Sequence, residues 1–561
     1  MISSFRLRRE GPPLPGNPLL DAGPHPPHPE SSAAASLAAL QESYFSLLAR
    51  GFSTLCLHDE FTFFPRVQKA WDYWFQPPCL EGSFVAGVAA RLGDLLSPLE
   101  GLPPLPEGSQ EEADAVLLRQ SLRSVIRELG PGGPWETDLF FYLKTASLAL
   151  APLLARPDRL DWQNREKLGE LLAGVARLFK WGAGQVGHLS QPARVLGKGV
   201  FGDARRFFHQ ALPGFLEEHF PKRAWRVPLQ EIHRSLEHFC EKSLLLPVTP
   251  FARGEAGLTG ILAASWGWPH DLDTAAALLE EEIRESRAAL DHYASQVAPG
   301  SAWPEALARL KPAGPVDILR LYREEVVRVW RFWQGSGMLP PLKGRVMVAE
   351  TPVYLRSLRS SASYAAPGGP PEEAPGYFYV TPEIEDASHH FRHHRFLSAH
   401  ETVPGHHLLD TLRLSLAAPI PRQYESPLFY EGWACYGETL CLSEGYLNSP
   451  GDYLVGWQRR LWRALRGWAD LELQRGRWSL EETRAALSLA AYPEPTVRLQ
   501  ALHLALNPGY QLCYTLGLKE MLRLREGFAP ALGLARFHDL VLLGGQLPFS
   551  LIEKRLQAAT G

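Results

Sequence analysis

Helical periodicity is the feature that most constrains the fold of this 561-residue chain. From residue 34 onward, Ala- and Leu-rich stretches place apolar residues three and four positions apart, which puts them on one face of an α-helix. Strand patterns are scarce, and the two best candidates flank a Ser/Gly/Pro-rich connection that suits a hairpin. The sequence therefore predicts a mainly α, multi-helix fold with a small β-hairpin or sheet. The clearest predicted helices are 115–129, 139–154, 160–179, 273–297 and 315–333, and the candidate strands are 345–350 and 377–381.

Prolines divide the chain into regions. Residues 1–33 contain many prolines, which are excluded from helix interiors, and no apolar run of signal-peptide length is present there. We expect this segment to be a flexible tail, or to precede the true start of translation, and to take no part in chemistry. A Pro/Gly-rich stretch at 247–260 predicts a boundary between an N-terminal helical region, 34–250, and a C-terminal region, 251–561, that contains both candidate strands.

Charge and cysteine content exclude several classes of protein. The 57 Lys and Arg residues against 61 Asp and Glu give a net charge of −4, without the basic excess of a nucleic-acid-binding protein. The six cysteines are scattered and form no CxxC pair, which argues against a disulfide framework and favours a reducing compartment, here the cytoplasm. Uncharged runs are too short to span a bilayer, so no membrane partner is expected. The oligomeric state stays open.

The stretch HETVPGHH, residues 400–407, is the most informative motif. A His-Glu pair followed by another histidine is typical of zinc-peptidase helices, in which two histidines bind the metal and the glutamate activates water. The usual spacing of the histidines is i and i+4. On a straight helix the side chain of His406 would point about 120° away from that of His400. The side chain of His407 would lie on the same helix face as His400, but about 10 Å further along the helix axis. Neither histidine shares a metal with His400 unless the helix is irregular.

Two residues inside the motif predict that irregularity. Pro404 has no N–H to donate to the carbonyl of His400, and Gly405 tolerates unusual backbone dihedrals. We therefore predict that the helix widens or breaks between Val403 and His406. Two residues that loop out at this point would return His406 to the place of an i+4 histidine, and His407 is the alternative second ligand.

A third ligand is expected from the stretch EGWACYGE, residues 431–438. Glu431 and Glu438 are seven residues apart, hence two turns apart on one face of a helix. Glu431 follows His406 by 25 residues, which leaves room for the motif helix, a turn at 419–421 and the start of another helix. One carboxylate would bind the metal, and the other would hold a ligand histidine in place.

Four motifs in this order, HETVPGHH, YEGWACYGE, NPGYQLCYTLG and RFHDLVLLGGQLP, resemble the bacterial family known as domain of unknown function 885. Its members share HExxPGH and EGWAxYxE motifs, and the match covers roughly 364–561. EGWACYGE is also similar to the third-ligand helix of thimet oligopeptidase-like enzymes. The resemblance implies a gluzincin-type, metallopeptidase-like fold with the strands beside the HExxPGH helix. It also implies a zinc ion held by His400, His406 and Glu431, with Glu401 as the general base. Glu438 would then support one of the ligands without binding the metal itself.

The sequence departs from the family pattern near its C-terminus. The family usually reads PGQAxxYK where this chain has PGYQLCYT, residues 508–515, and Gln474 occupies the place of an expected histidine. His503 occupies the place of an expected arginine. These differences concern substrate contacts rather than the metal ligands. Candidates to stabilise an oxyanion are Tyr514, His503 and Tyr510, and further candidates to support the ligands are His407 and Asp470.

The predicted function is that of a zinc-dependent hydrolase, most directly a peptidase acting on a peptide or a small amide through a water activated by zinc and Glu401. One alternative is a non-catalytic helical scaffold or binding protein with a structural zinc. Another is a hydrolase of non-peptide amides or esters. An open fourth position on the metal distinguishes an enzyme from a scaffold. The presence of Glu401 favours the enzyme, because a structural site needs no base.

Overall fold

The computed structural model describes residues 33–155, 165–220, 225–356, 359, 361–368 and 371–561. The predicted tail, 1–33, lies outside the described residues except for Ala33, which begins the first helix. Helices dominate the described chain, as the periodicity predicts.

The N-terminal region is built from helices and one strand pair. The strands β1 (Leu189–Ser190) and β2 (Val248–Thr249) are parallel. The helices are α1 (Ala33–Gly51), α2 (Ser53–Leu57), α3 (Gly82–Glu100), α4 (Gln110–Leu129), α5 (Pro134–Thr137), α6 (Leu139–Ala155), α7 (Arg165–Gln185), α8 (Gln191–Arg206), α9 (Leu212–His219) and α10 (Arg226–Leu244).

The C-terminal region adds more helices and a second sheet. Its strands are β3 (Val346–Glu350), β4 (Ala362–Ala365) and β5 (Gly376–Val380). Its helices are α11 (Gly254–Gly260), α12 (Leu272–Val297), α13 (Trp303–Ala308), α14 (Ile318–Ser336), α15 (Ala387–Glu401), α16 (His406–Leu414), α17 (Pro419–Gln423), α18 (Pro427–Ser443), α19 (Pro450–Gln474), α20 (Leu480–Ser488), α21 (Glu494–Leu506), α22 (Leu512–Leu532), α23 (Leu534–Leu542) and α24 (Phe549–Thr560).

Local signals explain where the long helices begin and end. The side chain of Asp386 caps α15, and Ser449 forms a capping box with Asp452 at the start of α19, where Pro450 occupies a position that needs no hydrogen bond. Helix α14 ends at Gly337 in the left-handed conformation that glycine adopts without strain. The predicted helices 139–154 and 273–297 match α6 and α12 within one residue at each end.

The sheet of the C-terminal region differs from the predicted hairpin. The two candidate strands became β3 and β5, but they pair in parallel, with Val346 opposite Gly376. A hairpin between them was therefore wrong, because the intervening chain supplies β4, which pairs antiparallel with the other edge of β5. Phe378 and Val380 of β5 pack on Tyr322 of α14, and Leu397 of α15 joins the same small cluster. The sheet thus lies beside the motif helix, as predicted.

A continuous hydrophobic cluster contains buried side chains from both predicted regions, from Leu37 to Leu556. Helices α18 and α22 pack in close contact at Gly432 and Gly517, because a Cβ on Gly432 would lie 2.5 Å from the Cα of Gly517. The division at residue 250 stays a prediction.

Among the described helices, none by itself is long and apolar enough to cross a membrane, although the bent pair 110–137 and 139–155 together meets the length and composition criterion.

Candidate metal centre

The motif helix breaks where the sequence predicts. Helix α15 ends at Glu401, and α16 begins at His406. Between them the backbone N–H of Gly405 donates to the carbonyl of Ala399 (3.0 Å), six residues back rather than four. The N–H of Leu408 likewise reaches back six residues, to Thr402. Each of these hydrogen bonds spans two more residues than the four of a regular α-helix. This confirms the prediction that two residues loop out.

Close packing fixes this break. A Cβ on Gly405 would lie 1.8 Å from the carbonyl oxygen of His400, so only glycine fits at this position. The peptide bond between Val403 and Pro404 is cis. From α18, the indole Nε1 of Trp433 donates to the carbonyl oxygen of Pro404 (2.6 Å). The loop is therefore held from its own helix and from the helix that carries the predicted third ligand.

The break brings His400 and His406 together with Glu431. The imidazole centroids are 4.7 Å apart. Nε2 of His400 lies 3.4 Å from Oε2 of Glu431, and Nε2 of His406 lies 3.6 Å from the same oxygen. One ligand atom from each of the three buried residues lies within 4.8 Å of the other two. His400, His406 and Glu431 therefore form a group able to hold a metal ion.

The chemistry of this donor set fits a tetrahedral divalent metal. Ligand bonds of about 2.0–2.1 Å in tetrahedral geometry place neighbouring donor atoms roughly 3.3 Å apart. The two imidazole Nε2 atoms lie at similar distances, 3.4 and 3.6 Å, from Oε2 of Glu431. Oε2 of Glu431 is buried and has no hydrogen-bond partner among the described residues. Burial raises the pKa of Glu431, but the contacts with His400 and His406 outweigh this effect and hold the pKa well below its usual range. A buried carboxylate oxygen without a donor is what a cation would satisfy.

Glu438 supports His400 from the opposite side of the imidazole. Nδ1 of His400 lies 3.0 Å from Oε1 of Glu438. A carboxylate at this place favours the tautomer protonated on Nδ1 and leaves Nε2 free as a ligand. Arg459 and Arg463 of α19 each donate two hydrogen bonds to Glu438, at 2.6–2.9 Å. Burial raises the pKa of Glu438, but the two guanidiniums outweigh it and hold the pKa well below its usual range.

Glu401 is the last residue of α15 and is buried beside the cluster. Burial raises the pKa of Glu401 to about 7, with His406 acting to lower it and Glu431 to raise it. Within the described part of the chain, its carboxylate makes no hydrogen bond or ion pair. A carboxyl group with these properties can accept and return a proton near neutral pH.

Tyr510 touches the candidate ligand directly. Its hydroxyl donates to Oε1 of Glu431 (2.7 Å), which fixes that carboxylate and leaves Oε2 for the cluster. The loop that carries Tyr510 is held by Asp470, whose two oxygens accept from the backbone N–H groups of Gly509 (3.0 Å) and Gln511 (3.1 Å). Burial raises the pKa of Asp470 to about 7, although both backbone bonds lower it. Asp470 thus holds the loop from which Tyr510 contacts the candidate ligand Glu431.

The remaining predicted residues lie around the cluster. Tyr514 packs edge-on against Tyr510, with 5.9 Å between ring centroids. His407 points away from the cluster, where its Nδ1 lies 3.0 Å from the hydroxyl of Tyr364, and burial lowers its pKa to about 4. His503 lies near the end of α21 with an exposed side chain, and among the described residues it forms no side-chain hydrogen bond, ion pair or ring contact with a member of the cluster.

Comparison with known proteins gives the chain a family. The sequence profile of a bacterial family of proteins of unknown function, DUF885, matches residues 208–556, more than half of the chain. The chain belongs to this family. No curated protein matches it significantly.

Solved structures share the fold. A candidate lipoprotein from Colwellia psychrerythraea superposes with a TM-score of 0.71 at 17% sequence identity, covering 94% of this chain and 99% of that one. A candidate lipoprotein of unknown function from Shewanella oneidensis gives a TM-score of 0.72 at 17% identity, covering 93% and 100%. At this identity the likeness concerns the fold alone. The cytoplasmic location expected from the cysteines stays a prediction.

Several residues of the site were not identified from the sequence. Arg459 and Arg463 hold Glu438, and the ring of Tyr430 stacks on His406 with 4.0 Å between centroids. The hydroxyl of Tyr430 donates to the buried Asp410 (3.0 Å). The spacing of the arginines was the available signal, because residues four apart on a helix share a face. Nothing in the local sequence of Tyr430 points to the stack.

The geometry separates the two histidines that follow Gly405. We expect the variant His406→Ala to retain at least tenfold less metal than the native chain, because it removes one of three candidate ligand atoms. The matched variant His407→Ala is expected to keep it, since that ring faces Tyr364. Metal content after dialysis, measured by mass spectrometry, checks both. Full metal retention in His406→Ala together with loss in His407→Ala would reverse the assignment.

Proposed function

We propose that this protein is a zinc-dependent hydrolase that cleaves peptide or related amide bonds. The observation that carries the proposal is the convergence of His400, His406 and Glu431, in which both imidazole Nε2 atoms lie 3.4–3.6 Å from Oε2 of Glu431, beside a buried Glu401. Among the described residues, no fourth His, Cys, Asp or Glu joins the group. Three protein ligands are the pattern of catalytic zinc sites, whereas structural sites usually have four.

The chain's own residues divide the work of hydrolysis. When bound to the three ligands, zinc would supply Lewis acidity for a carbonyl oxygen and lower the pKa of a water molecule. Glu401 accepts the proton of the attacking water and delivers it to the leaving amine. Glu438 keeps Nε2 of His400 available, and Tyr510 orients Glu431.

Tyr514 is the residue that we propose to stabilise the oxyanion. Its hydroxyl makes no hydrogen bond within the described part of the chain, whereas that of Tyr510 is committed to Glu431. Burial raises the pKa of Tyr514 well above its usual range, and Glu431 raises it further, so the hydroxyl stays protonated and able to donate.

A scaffold with a structural zinc explains these features less well. A structural site needs neither a carboxyl group such as Glu401, whose pKa is raised to about 7, nor an open ligand position. The burial of three potential ligands together with a free base is costly for folding, and proteins keep such costly arrangements mainly at functional sites.

Metal analysis followed by a digest tests the proposal. The purified full chain is expected to contain about one zinc per molecule. Incubation with a peptide library should yield cleavage products that disappear with a chelator and return when zinc is added. A zinc-loaded protein that leaves every peptide and amide intact would contradict the hydrolase, and cleavage that persists in the chelated protein would contradict the role of the metal.

A further inference from the structure

Arg466, a cation near the cluster, has no acidic side chain bound to it among the described residues. Arg459, Arg463 and Arg466 follow one another on α19 at spacings of four and three residues, so they share a helix face. The first two donate to Glu438. Within the described part of the chain, Arg466 forms no ion pair and no hydrogen bond, and its buried Nε has no partner.

Aromatic rings surround Arg466 where an acid would normally be found. Its Cζ lies 4.8 Å from the ring centroid of Tyr514 and 5.6 Å from that of Trp462. Tyr514 in turn contacts Tyr510, whose hydroxyl binds the candidate ligand Glu431. Two tyrosine rings therefore connect Arg466 with the metal centre. The rings hold the guanidinium in one orientation without neutralising its charge.

This arrangement is costly without an anionic ligand. The buried Nε has lost its hydration without gaining a partner, and burial lowers the pKa of the half-buried Arg466 accordingly. No neighbouring acid pairs with Arg466 directly among the described residues: Glu438 is shared by Arg459 and Arg463, and Glu431 raises the pKa of Arg466 without a hydrogen bond or ion pair to it. The planar guanidinium donates two parallel hydrogen bonds to a carboxylate, which makes that group its best-matched partner.

We propose that Arg466 binds a carboxylate of the substrate, so that the protein selects anionic peptides at the metal centre. The inference rests on the proposed hydrolase function, because it assigns the substrate class of the same site. A peptide offers such a carboxylate either at its C-terminus or on an Asp or Glu side chain. Both present the same two oxygens to the guanidinium.

Matched peptides distinguish the two sources. The first is an acetylated oligoalanine with a free C-terminus, the second is its C-terminal amide, and the third is the amide with one Glu. We expect the native protein to cleave the free acid or the Glu-containing amide with a KM about 10- to 100-fold lower than that of the plain amide. The carboxylate that lowers KM identifies the source. Equal KM values for all three peptides would overturn the proposal.

Variants at one position connect the preference with Arg466. Arg466→Met is expected to raise KM for the preferred anionic peptide to that of the plain amide, with a smaller change in kcat. Arg466→Lys should recover part of the preference, because a lysine restores the charge but not the paired hydrogen bonds. Arg484→Met removes one charge from an exposed ion pair with Glu494 and is the control for net charge. If Arg484→Met lost the KM difference between the anionic peptide and the plain amide to a similar extent, the preference would come from long-range electrostatics. That result would contradict the proposal.

A binding measurement separates this inference from the proposed function. Calorimetric titration of the zinc-loaded chain with an acetylated dialanine acid and with its amide requires no turnover. Weaker binding of the acid to Arg466→Met, with unchanged zinc content and thermal unfolding, supports the carboxylate site even if no peptide is cleaved. Acid and amide that bind the native chain equally would overturn the inference even if hydrolysis is observed.

Discussion

Glu401→Gln is expected to lower the turnover number for peptide hydrolysis by about 10²- to 10⁴-fold while the metal stays bound. Glutamine has nearly the shape of glutamate, but its amide cannot accept the proton of the attacking water. The side chain makes no hydrogen bond within the described residues, so the substitution breaks no contact that holds the fold. His400, the neighbouring candidate ligand, keeps its contact with Glu438. Steady-state kinetics and metal content, measured on the same preparation, check both parts.

A conservative change nearby provides the control for this prediction. Glu383→Gln alters an exposed acid shortly before α15 and should leave hydrolysis at the native rate. Native turnover in Glu401→Gln would refute the general-base mechanism. Loss of zinc in that variant would instead show that Glu401 belongs to the ligand set.

Gly405→Ala is expected to abolish metal binding and to destabilise the protein by about 3–5 kcal/mol, although it alters no ligand. The added methyl group would lie 1.8 Å from the carbonyl oxygen of His400, which is far inside van der Waals contact. Relief of that clash requires the loop between α15 and α16 to move, and His406 moves with it. Thermal or denaturant unfolding measures the stability, and metal analysis measures the second effect.

A glycine in an open position is the matched control. Gly527 lies inside α22, where an added Cβ meets no atom within 4 Å, so Gly527→Ala should be neutral or stabilise the helix by about 0.5–1 kcal/mol. A Gly405→Ala protein with native metal content and native stability would show that the break is not held by this contact.

The motif irregularity was predictable because it depends on neighbours in the chain. Pro404 lacks the N–H that a regular helix requires, and two histidines six residues apart cannot share a metal on a straight helix. Local geometry therefore selected a break, and the structure has it between Glu401 and His406. The position of Glu431 and Glu438 on one face of a helix was likewise predictable from their spacing of seven residues.

The arginines around the cluster depend on distant parts of the chain. Arg459 and Arg463 meet Glu438 because α18 and α19 pack together, and their spacing alone is also that of an exposed, charged helix face. The isolation of Arg466 is a property of the surrounding side chains, which no local pattern records. The stacking of Tyr430 on His406 depends on the same packing of helices.

Sequence alone determined the features whose physical cause is local: the helices, their caps, the break at 402–405 and the order of the candidate ligands. Tertiary structure decided the strand pairing, in which β4 intervenes and makes β3 and β5 parallel neighbours. It also decided that His406 rather than His407 faces Glu431. The reason is that hydrogen bonding within a helix involves residues a few positions apart, whereas strand partners, buried ion pairs and ligand contacts join residues tens of positions apart. Those contacts form only when the whole core packs.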